Sequence, residues 1–486
     1  VSLRALHDFE LSLVEPCAAI AARGLRVDES VRVRMMSDLT SALEPARERL
    51  NTAITKKLLE EATKRLLGEE KDPIQQIDKL FRQQKVCKAC RNGSKKRLTC
   101  AACGGDAKRV WLEFNPASAA QQKIVLYDLM RLPKRTKEGK LTSDEDALKG
   151  LLAHDRSGVV ADLLAFGKAE TMRSIFARLA PDASGHIHTW YNIAGTETGR
   201  LSSSETWLEE ASTNLQNLPL RQAARSPLYD VRRCIVPDVG EVFLYADLSQ
   251  AEARVVAALS GDRELLERWS DGNAFDVHRW TAAHIFSKAE SEITDNERYL
   301  GKVARHALNY GMGWARFMQE VNGDADITGV SIVASEAKRI VSSYHRLHPN
   351  LERWWRQVAG LVDAQRWLNT GFGRRRTFFG RRATERYLDE THKEAIAFEP
   401  QSTVADLLNR GMLRYWNERD RKGWGRLQAQ VHDAVLVGVK TARAAIEAKV
   451  LPRLLEEEIE VNKIRLTIPC EVSIGRVSWA ALEEAA

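Results

Sequence analysis

Val242-Phe-Leu-Tyr-Ala-Asp247-Leu-Ser-Gln-Ala-Glu252 is an apolar, strand-like run that ends in an aspartate, and Gln428-Ala-Gln-Val-His-Asp433-Ala-Val-Leu-Val437 repeats the device far along the chain. A buried ionised carboxylate without a partner is costly or takes up a proton, so two at the ends of oily strands imply bound cations. A pair of Mg²⁺ ions about 4 Å apart is the usual means of in-line phosphoryl transfer. For either stretch alone a strand-end turn aspartate is the commoner outcome, and what lies between them decides.

The 486 residues exceed what one core usually serves and imply roughly two to four subdomains. Lys and Arg outnumber Asp and Glu, 73 against 66, with the excess clustered in Lys85 to Arg97, Gly373-Arg-Arg-Arg376 and Gly380-Arg-Arg382, as suits a polyanion. No uncharged apolar run reaches the roughly 18 residues of a membrane span, and the start lacks a signal-peptide layout. A cytoplasmic or nucleoid setting with no membrane partner is expected. The first residue is Val rather than Met, as in a fragment of a longer sequence.

Seven cysteines are present; four form Cys87-Lys-Ala-Cys90, nine residues, then Cys100-Ala-Ala-Cys103. Two such pairs at close range suit one structural Zn²⁺ held by four thiolates. Disulfides are the alternative, disfavoured in a reducing compartment. Cys17, Cys234 and Cys470 are scattered and read as small core residues.

Along the chain, Leu3 to Arg26 reads as helix with Gly24 as its stop, and Asp28 to about Leu80 as a long charged helix interrupted at Pro73. Phe114-Asn-Pro-Ala-Ser118 reads as a turn and helix cap, and Ser143 to Ala153 as a short helix. Loops and short strands are expected between about Gly185 and Val242, helices from Asp262 to about Arg366, then an arginine-rich hairpin and a helix over about Thr391 to Trp416.

Between the two aspartates lies a helical pattern, Asn296-Glu-Arg-Tyr-Leu-Gly-Lys302-Val-Ala-Arg-His306-Ala-Leu-Asn-Tyr310-Gly311. Residues four apart share a face, so Arg298, Lys302, His306 and Tyr310 form a basic stripe ending in an aromatic. Such a stripe can grip a triphosphate. In isolation it equally describes a solvated basic face with a core tyrosine.

Taken in order, Thr198-Gly-Arg200-Leu-Ser-Ser203, Asn214-Leu-Gln-Asn217-Leu-Pro219, the Asp247 segment, Asp276-Val-His278-Arg279-Trp-Thr-Ala282, this helix, Pro400-Gln401-Ser-Thr-Val-Ala-Asp406 and Gln430-Val-His-Asp433 resemble the motifs of family A DNA polymerases. The likeness runs from about Phe9 to the C-terminus, with the zinc segment as an insertion. It implies an α+β right-hand polymerase fold: a palm with an antiparallel sheet, helical fingers and a helical thumb. The corresponding boundaries are palm start 1–30, thumb 31–184 with the zinc-binding insertion at 85–105, palm 185–258, fingers 259–388, and the remaining palm 389–486.

The resemblance implies DNA-directed DNA synthesis by a monomeric nucleotidyltransferase, with primer-template DNA and deoxynucleoside triphosphates as partners. Asp247 and Asp433 become the catalytic carboxylates, holding two Mg²⁺ ions with the Leu248 carbonyl. Glu252 becomes a steric gate against a 2′-hydroxyl. Nucleotide contacts fall on Gln250, Glu252, His278, Arg298, Lys302, His306 and Tyr310, and DNA contacts on Arg200, Gln216, Lys393, Gln401 and His432. Counted back from Tyr310, Lys302 and His306 stand where the family usually has arginine and lysine, so Arg305 or Arg298 is a candidate for the missing charge. Tyr310 takes a position that is Phe or Tyr in the family, which predicts ready use of dideoxynucleotides.

Ala434 stands where the family usually has Glu, and Ala397 where Asn is common. Two other readings stay open: a single-subunit RNA polymerase relative, which shares the Asp, helix and His-Asp signatures but against which Glu252 and Thr198-Gly-Arg200 argue, and a non-catalytic primer-template binding protein, suggested by His306, Ala434 and Ala397. The zinc insertion, among Lys85, Lys88, Arg91, Lys95, Lys96 and Arg97, is expected either to grip duplex DNA or a processivity partner, or only to staple the thumb tip. A proofreading exonuclease is not evident, and the histidine-bearing helix and short form point to phage-type or plasmid-borne relatives.

Overall fold

The computed structural model describes residues 3–66, 84–87, 93–94, 107–110, 114–206, 211–218, 227–270, 275–323, 325–379 and 389–485. Side chains are described outside 58–113 and 326–327. The chain divides into two compact units, Val33–Ala177 and the remainder.

In the larger unit, strand β1 (Glu241–Leu248) is followed by helix α1 (Ala251–Ser260), then α2 (Val277–Phe286), α3 (Asp295–Leu308) and α4 (Glu390–Glu418). Next come strands β2 (Arg426–Val431), β3 (Ala434–Lys440), β4 (Cys470–Gly475) and β5 (Leu482–Glu484). The five strands form one sheet in the order β2-β3-β1-β4-β5, and every adjacent pair is antiparallel. β1 is central, and Val242, Phe243, Leu244 and Ala246 are all buried, as expected for a strand covered on both faces. Val435, Val437 and Val439 of β3 join Val242, Leu244 and Ala246 in a core that also takes Val404, Leu407 and Leu408 of α4, and Leu436 is buried too.

Three of these helices, α2, α3 and α4, begin at a side-chain cap. Asp276 caps α2, its carboxylate accepting from the amides of His278 and Arg279. Thr294 and Glu297 form a reciprocal capping box at α3, and Asp389 caps α4. α3 lies tightly on α2 because residue 301 is glycine; a Cβ there would come 2.2 Å from the His278 carbonyl.

The expected first helix is two, Leu3–Ser12 and Val14–Arg23, and Gly24, at φ 66°, stops the second. The arginine-rich segment begins as the expected hairpin, Trp367–Asn369 pairing with Arg375–Thr377. Cys17 and Cys234 are buried, as read, whereas Cys470 is half-buried at the start of β4.

In the smaller unit lie most of the helix Glu29–Leu66, which absorbs Pro45, and the helix Val159–Arg178. Leu39, Leu43, Leu50 and Ile54 of the first and Leu163, Phe166, Met172 and Phe176 of the second are buried, and Arg49 pairs with Asp162 at 2.6 Å. Ser118 caps Ala119–Lys123 and Asp144 caps Glu145–Leu151, close to the turns read from sequence. Backbone strands Gln84–Cys87, Gly93–Ser94 and Ala107–Val110 form a small antiparallel sheet. Cys90, Cys100, Cys103 and Pro73 lie outside the described residues, as does the Cys87 side chain. Among the described residues no helix is long and apolar enough to cross a membrane.

Candidate active site

Strand register builds the centre of the site. Asp247, at the end of β1, lies directly across from Ala434 of β3, and the Leu248 amide donates to the Asp433 carbonyl at 3.1 Å. The β2–β3 turn is only His432-Asp433, with His432 in the left-handed region at φ 54°. Gln250 shares that region, also at φ 54°, where the chain turns from β1 into α1. A non-glycine residue held there stores strain of about 1–3 kcal/mol, and such positions cluster where side chains must be aimed.

The carboxylates feel one another. Asp247 keeps access to solvent, yet crowding by protein, then the charges of Asp433 and Glu471, push its carboxyl up to about 7, against a smaller pull from Lys302. Asp433 is also raised, mainly by burial, with Arg200 opposing. Arg200 donates through one nitrogen to Glu252 and, at 3.3 Å, to Asp433. The Tyr310 hydroxyl donates to the other Glu252 oxygen at 2.7 Å. One hydrogen-bonded chain therefore joins Tyr310, Glu252, Arg200 and Asp433.

Arg200 is carried by a braced loop. Gly199, at φ 77°, leaves room for Arg374, whose guanidinium would meet a Cβ at 2.3 Å. Arg374 is fixed by Asp406 at 2.7 Å and Glu10 at 2.6 Å, while the Asn409 amide donates to the Gly199 carbonyl at 3.0 Å.

The α3 stripe divides in a way that spacing did not foretell. Lys302 and His306 are exposed on one face. Arg298 is tied to Asp276, the cap of α2. Arg305 is buried on the other side, donating to Thr281 at 2.7 Å and facing His348 at 2.9 Å, so it is no substitute phosphate ligand. α3 ends at Leu308, and Tyr310 stands in the turn beyond it. Its hydroxyl donates to Glu252 in this structure.

His278 is buried on α2, its ring 5.8 Å from that of His306. Burial and then the neighbouring cations lower its pKa to about 3, so it is neutral near pH 7. Gln250 lies beside the centre, but its side chain braces the fold, donating to the Phe275 carbonyl at 3.0 Å and accepting from Trp269 and the Val277 amide.

Gln216 accepts from the Ser203 amide at 3.0 Å and donates to Gln430 at 2.9 Å. Gln430 donates to the His432 carbonyl at 2.9 Å and is clasped by the Tyr191 hydroxyl, which donates to its carbonyl at 2.8 Å and accepts from its amide at 2.9 Å. Exposed His432 thus sits on a turn propped from below. Gln401 and Lys393 are half-buried on α4, and Lys393 pairs with Glu390 at 2.8 Å. Tyr191, Gln430, Asn409 and Glu471 escaped the sequence reading. Gln430 lay inside a quoted motif, whereas Tyr191 carried no local signal.

The model of DNA polymerase family A matches residues 88–481. Among similar proteins, "DNA polymerase I, thermostable" of Thermus aquaticus is 29% identical over 382 residues, 76% of this chain and 42% of that protein. The Thermus filiformis protein of the same description is 31% identical over 373 residues, 74% of this chain and 41% of that one. The chain thus spans about two-fifths of the length of these relatives. In fold it is similar to the "POL domain of Pol1 from M. smegmatis", solved in complex with DNA primer-template and dNTP. That likeness has a TM-score of 0.73 and covers 97% of this chain and 70% of that one at 23% identity. The mixed helix-and-sheet architecture around an antiparallel sheet is that of the family A polymerase domain, and with the family model matching most of its length the chain belongs to DNA polymerase family A.

Proposed function

We propose that the chain is a DNA-directed DNA polymerase, a nucleotidyltransferase that adds deoxynucleotides to a primer 3′-hydroxyl and releases pyrophosphate. The observation that carries this reading is the register that sets Asp247 and Asp433 side by side at the ends of β1 and β2. Two carboxylates and the Leu248 carbonyl are hard oxygen donors, a set that fits Mg²⁺. Two bound Mg²⁺ ions would supply a lowered pKa for the primer hydroxyl and neutralise charge gathering on the pyrophosphate.

The chain's own residues do the rest. Lys302 and His306 offer their exposed face to the triphosphate, with His278 behind His306 and Arg298 at the far end of the stripe. Glu252, fixed by Tyr310 and Arg200, occupies the space a 2′-hydroxyl needs, so deoxynucleotides are chosen by exclusion. When DNA binds, Arg200 exchanges its carboxylate partners for minor-groove acceptors of the primer-terminal pair, which every correct pair presents. Gln216, Lys393, Gln401 and His432 contribute to the DNA side, and Gln250 holds the α1–α2 connection that shapes the nucleotide pocket.

Cys87, Cys90, Cys100 and Cys103 bind one structural Zn²⁺ in this reading, and the basic residues around them hold duplex DNA or a processivity partner. The protein acts as a monomer in the cytoplasm, and His306 aligns it with phage-type relatives. Gel extension of a primed template with deoxy-, dideoxy- and ribonucleotides in parallel tests the reading: Mg²⁺-dependent extension by deoxynucleotides is expected, and its absence overturns the reading.

A further inference from the structure

We propose that Arg305, His348 and Asp262 are positioning residues for nucleotide binding, a buried relay that holds α3 so that Lys302 and His306 face the triphosphate. The inference deepens the polymerase reading and rests on it. Beside the stripe 302, 306, 310 runs a second one, offset by one residue, in which Gly301, Arg305 and Asn309 again stand four apart, all of them buried. Gly301 lets α2 approach, and Arg305 and Asn309 make the polar contacts.

Arg305 donates to the Thr281 hydroxyl at 2.7 Å, and that hydroxyl donates in turn to the Val277 carbonyl at 2.6 Å. On its other side the guanidinium lies 2.9 Å from His348 Nε2, and His348 Nδ1 lies 2.7 Å from the Asp262 carboxylate. A guanidinium can only donate, so Nε2 carries the lone pair and the ring proton sits on Nδ1, donated to Asp262. Burial lowers the His348 pKa to about 4 against the opposing bond to Asp262, so the ring is neutral near pH 7. The relay therefore runs in one direction, from Arg305 through His348 to Asp262.

Its ends lie on elements that shape the site. Asp262 follows Gly261, whose φ of 70° ends α1, the helix that carries Glu252. His348 joins the helices Ala334–Leu347 and Pro349–Gln365, and the same pair grips α3 one turn further on. There the Tyr344 hydroxyl donates to the Asn309 side chain at 2.6 Å and the Trp355 indole to the Asn309 carbonyl at 2.9 Å. A buried charge left uncompensated is costly, and here the Arg305 charge is met by Asp262 through one imidazole. Arg305 is thus kept from the phosphates yet decides where the residues that face them stand.

The test measures single-nucleotide extension of a primed template by the full chain in the wild type, His348→Leu, His348→Gln and Arg305→Met, with primer-template affinity read by fluorescence anisotropy. His348→Leu and Arg305→Met should each raise the deoxynucleotide KM about tenfold at unchanged primer-template affinity, within the roughly hundredfold that a small misplacement can cost. A glutamine amide can accept from Arg305 and donate to Asp262, so His348→Gln should return KM to within about twofold of the wild type. Imidazole ¹⁵N resonances of the wild type should show a neutral His348 with its proton on Nδ1. An unmoved KM in His348→Leu, no rescue by His348→Gln, or a proton on Nε2 overturns the relay and leaves the polymerase reading standing. A KM rise matched by a fall in primer-template affinity overturns it too, as the mark of general damage. Should His348→Leu not fold, Arg305→Met and the wild-type ring state still decide. A wild type that extends no primer overturns the polymerase reading, and the proposal with it.

Discussion

The central sheet and helix α3 present their chemistry in opposite ways. Asp247 and Asp433 are set by backbone: ladder hydrogen bonds fix the register, and two left-handed residues aim the turns. The α3 groups sit on long side chains whose partners reassign them. Arg298 goes to Asp276, Arg305 to Thr281 and His348, and Tyr310, past the helix end, to Glu252. A strand-end motif therefore translates directly into geometry, whereas helical spacing yields a face without saying what each group on it does.

Breaking the sheet side should cost most. Asp433→Asn removes a charge from the metal donor set and should slow single-nucleotide extension about a thousandfold or more, since such sites supply several kcal/mol of charge stabilisation. Glu252→Ala removes a shape rather than a charge. Discrimination against ribonucleotides, measured as a ratio of kcat/KM values, should fall about 10- to 200-fold.

The helix side should respond more gently and unevenly. Lys302→Ala should raise the deoxynucleotide KM about tenfold, the worth of one charged phosphate contact. Arg298→Ala should cost less, because its guanidinium is spent on Asp276, and equal effects would mean that the partnerships dissolve when nucleotide binds. Tyr310→Phe loses one hydrogen bond to Glu252 and should change ribonucleotide discrimination about fivefold, near 1 kcal/mol.

The smallest effect is on stability. Asp247 titrates near 7 when folded and in the usual carboxylate range when unfolded, so its protonation favours the folded state at low pH and that benefit is lost as the pH rises through 7. Metal-free Asp247→Asn should therefore melt ~1–3 °C above wild type at pH 8, with the gap closing toward pH 5.

Much of the fold was legible because its signals were local. Apolar runs ending in Asp, Gly24 as a stop and the cap at Ser118 each act within a few residues. The pairing of Asp247 with Glu471 was not legible, since register between strands more than 200 positions apart is settled by the whole sheet. Nor was the fate of Tyr310: the four-residue period continued on paper beyond Leu308, where the helix stops before Gly311. The brace from Tyr191 to Gln430 joins residues 239 positions apart and leaves no trace in either neighbourhood.

The central claim is that Asp247 and Asp433 act as one metal-dependent unit. It is tested most directly by single-turnover extension of a primed template over a range of Mg²⁺ concentrations, in the wild type, Asp247→Asn, Asp433→Asn and the double variant. Groups that act together are strongly non-additive, so the double variant should be little slower than either single one, and extra Mg²⁺ should not restore the rate. Losses that multiply, or full activity in either single variant, would contradict the account.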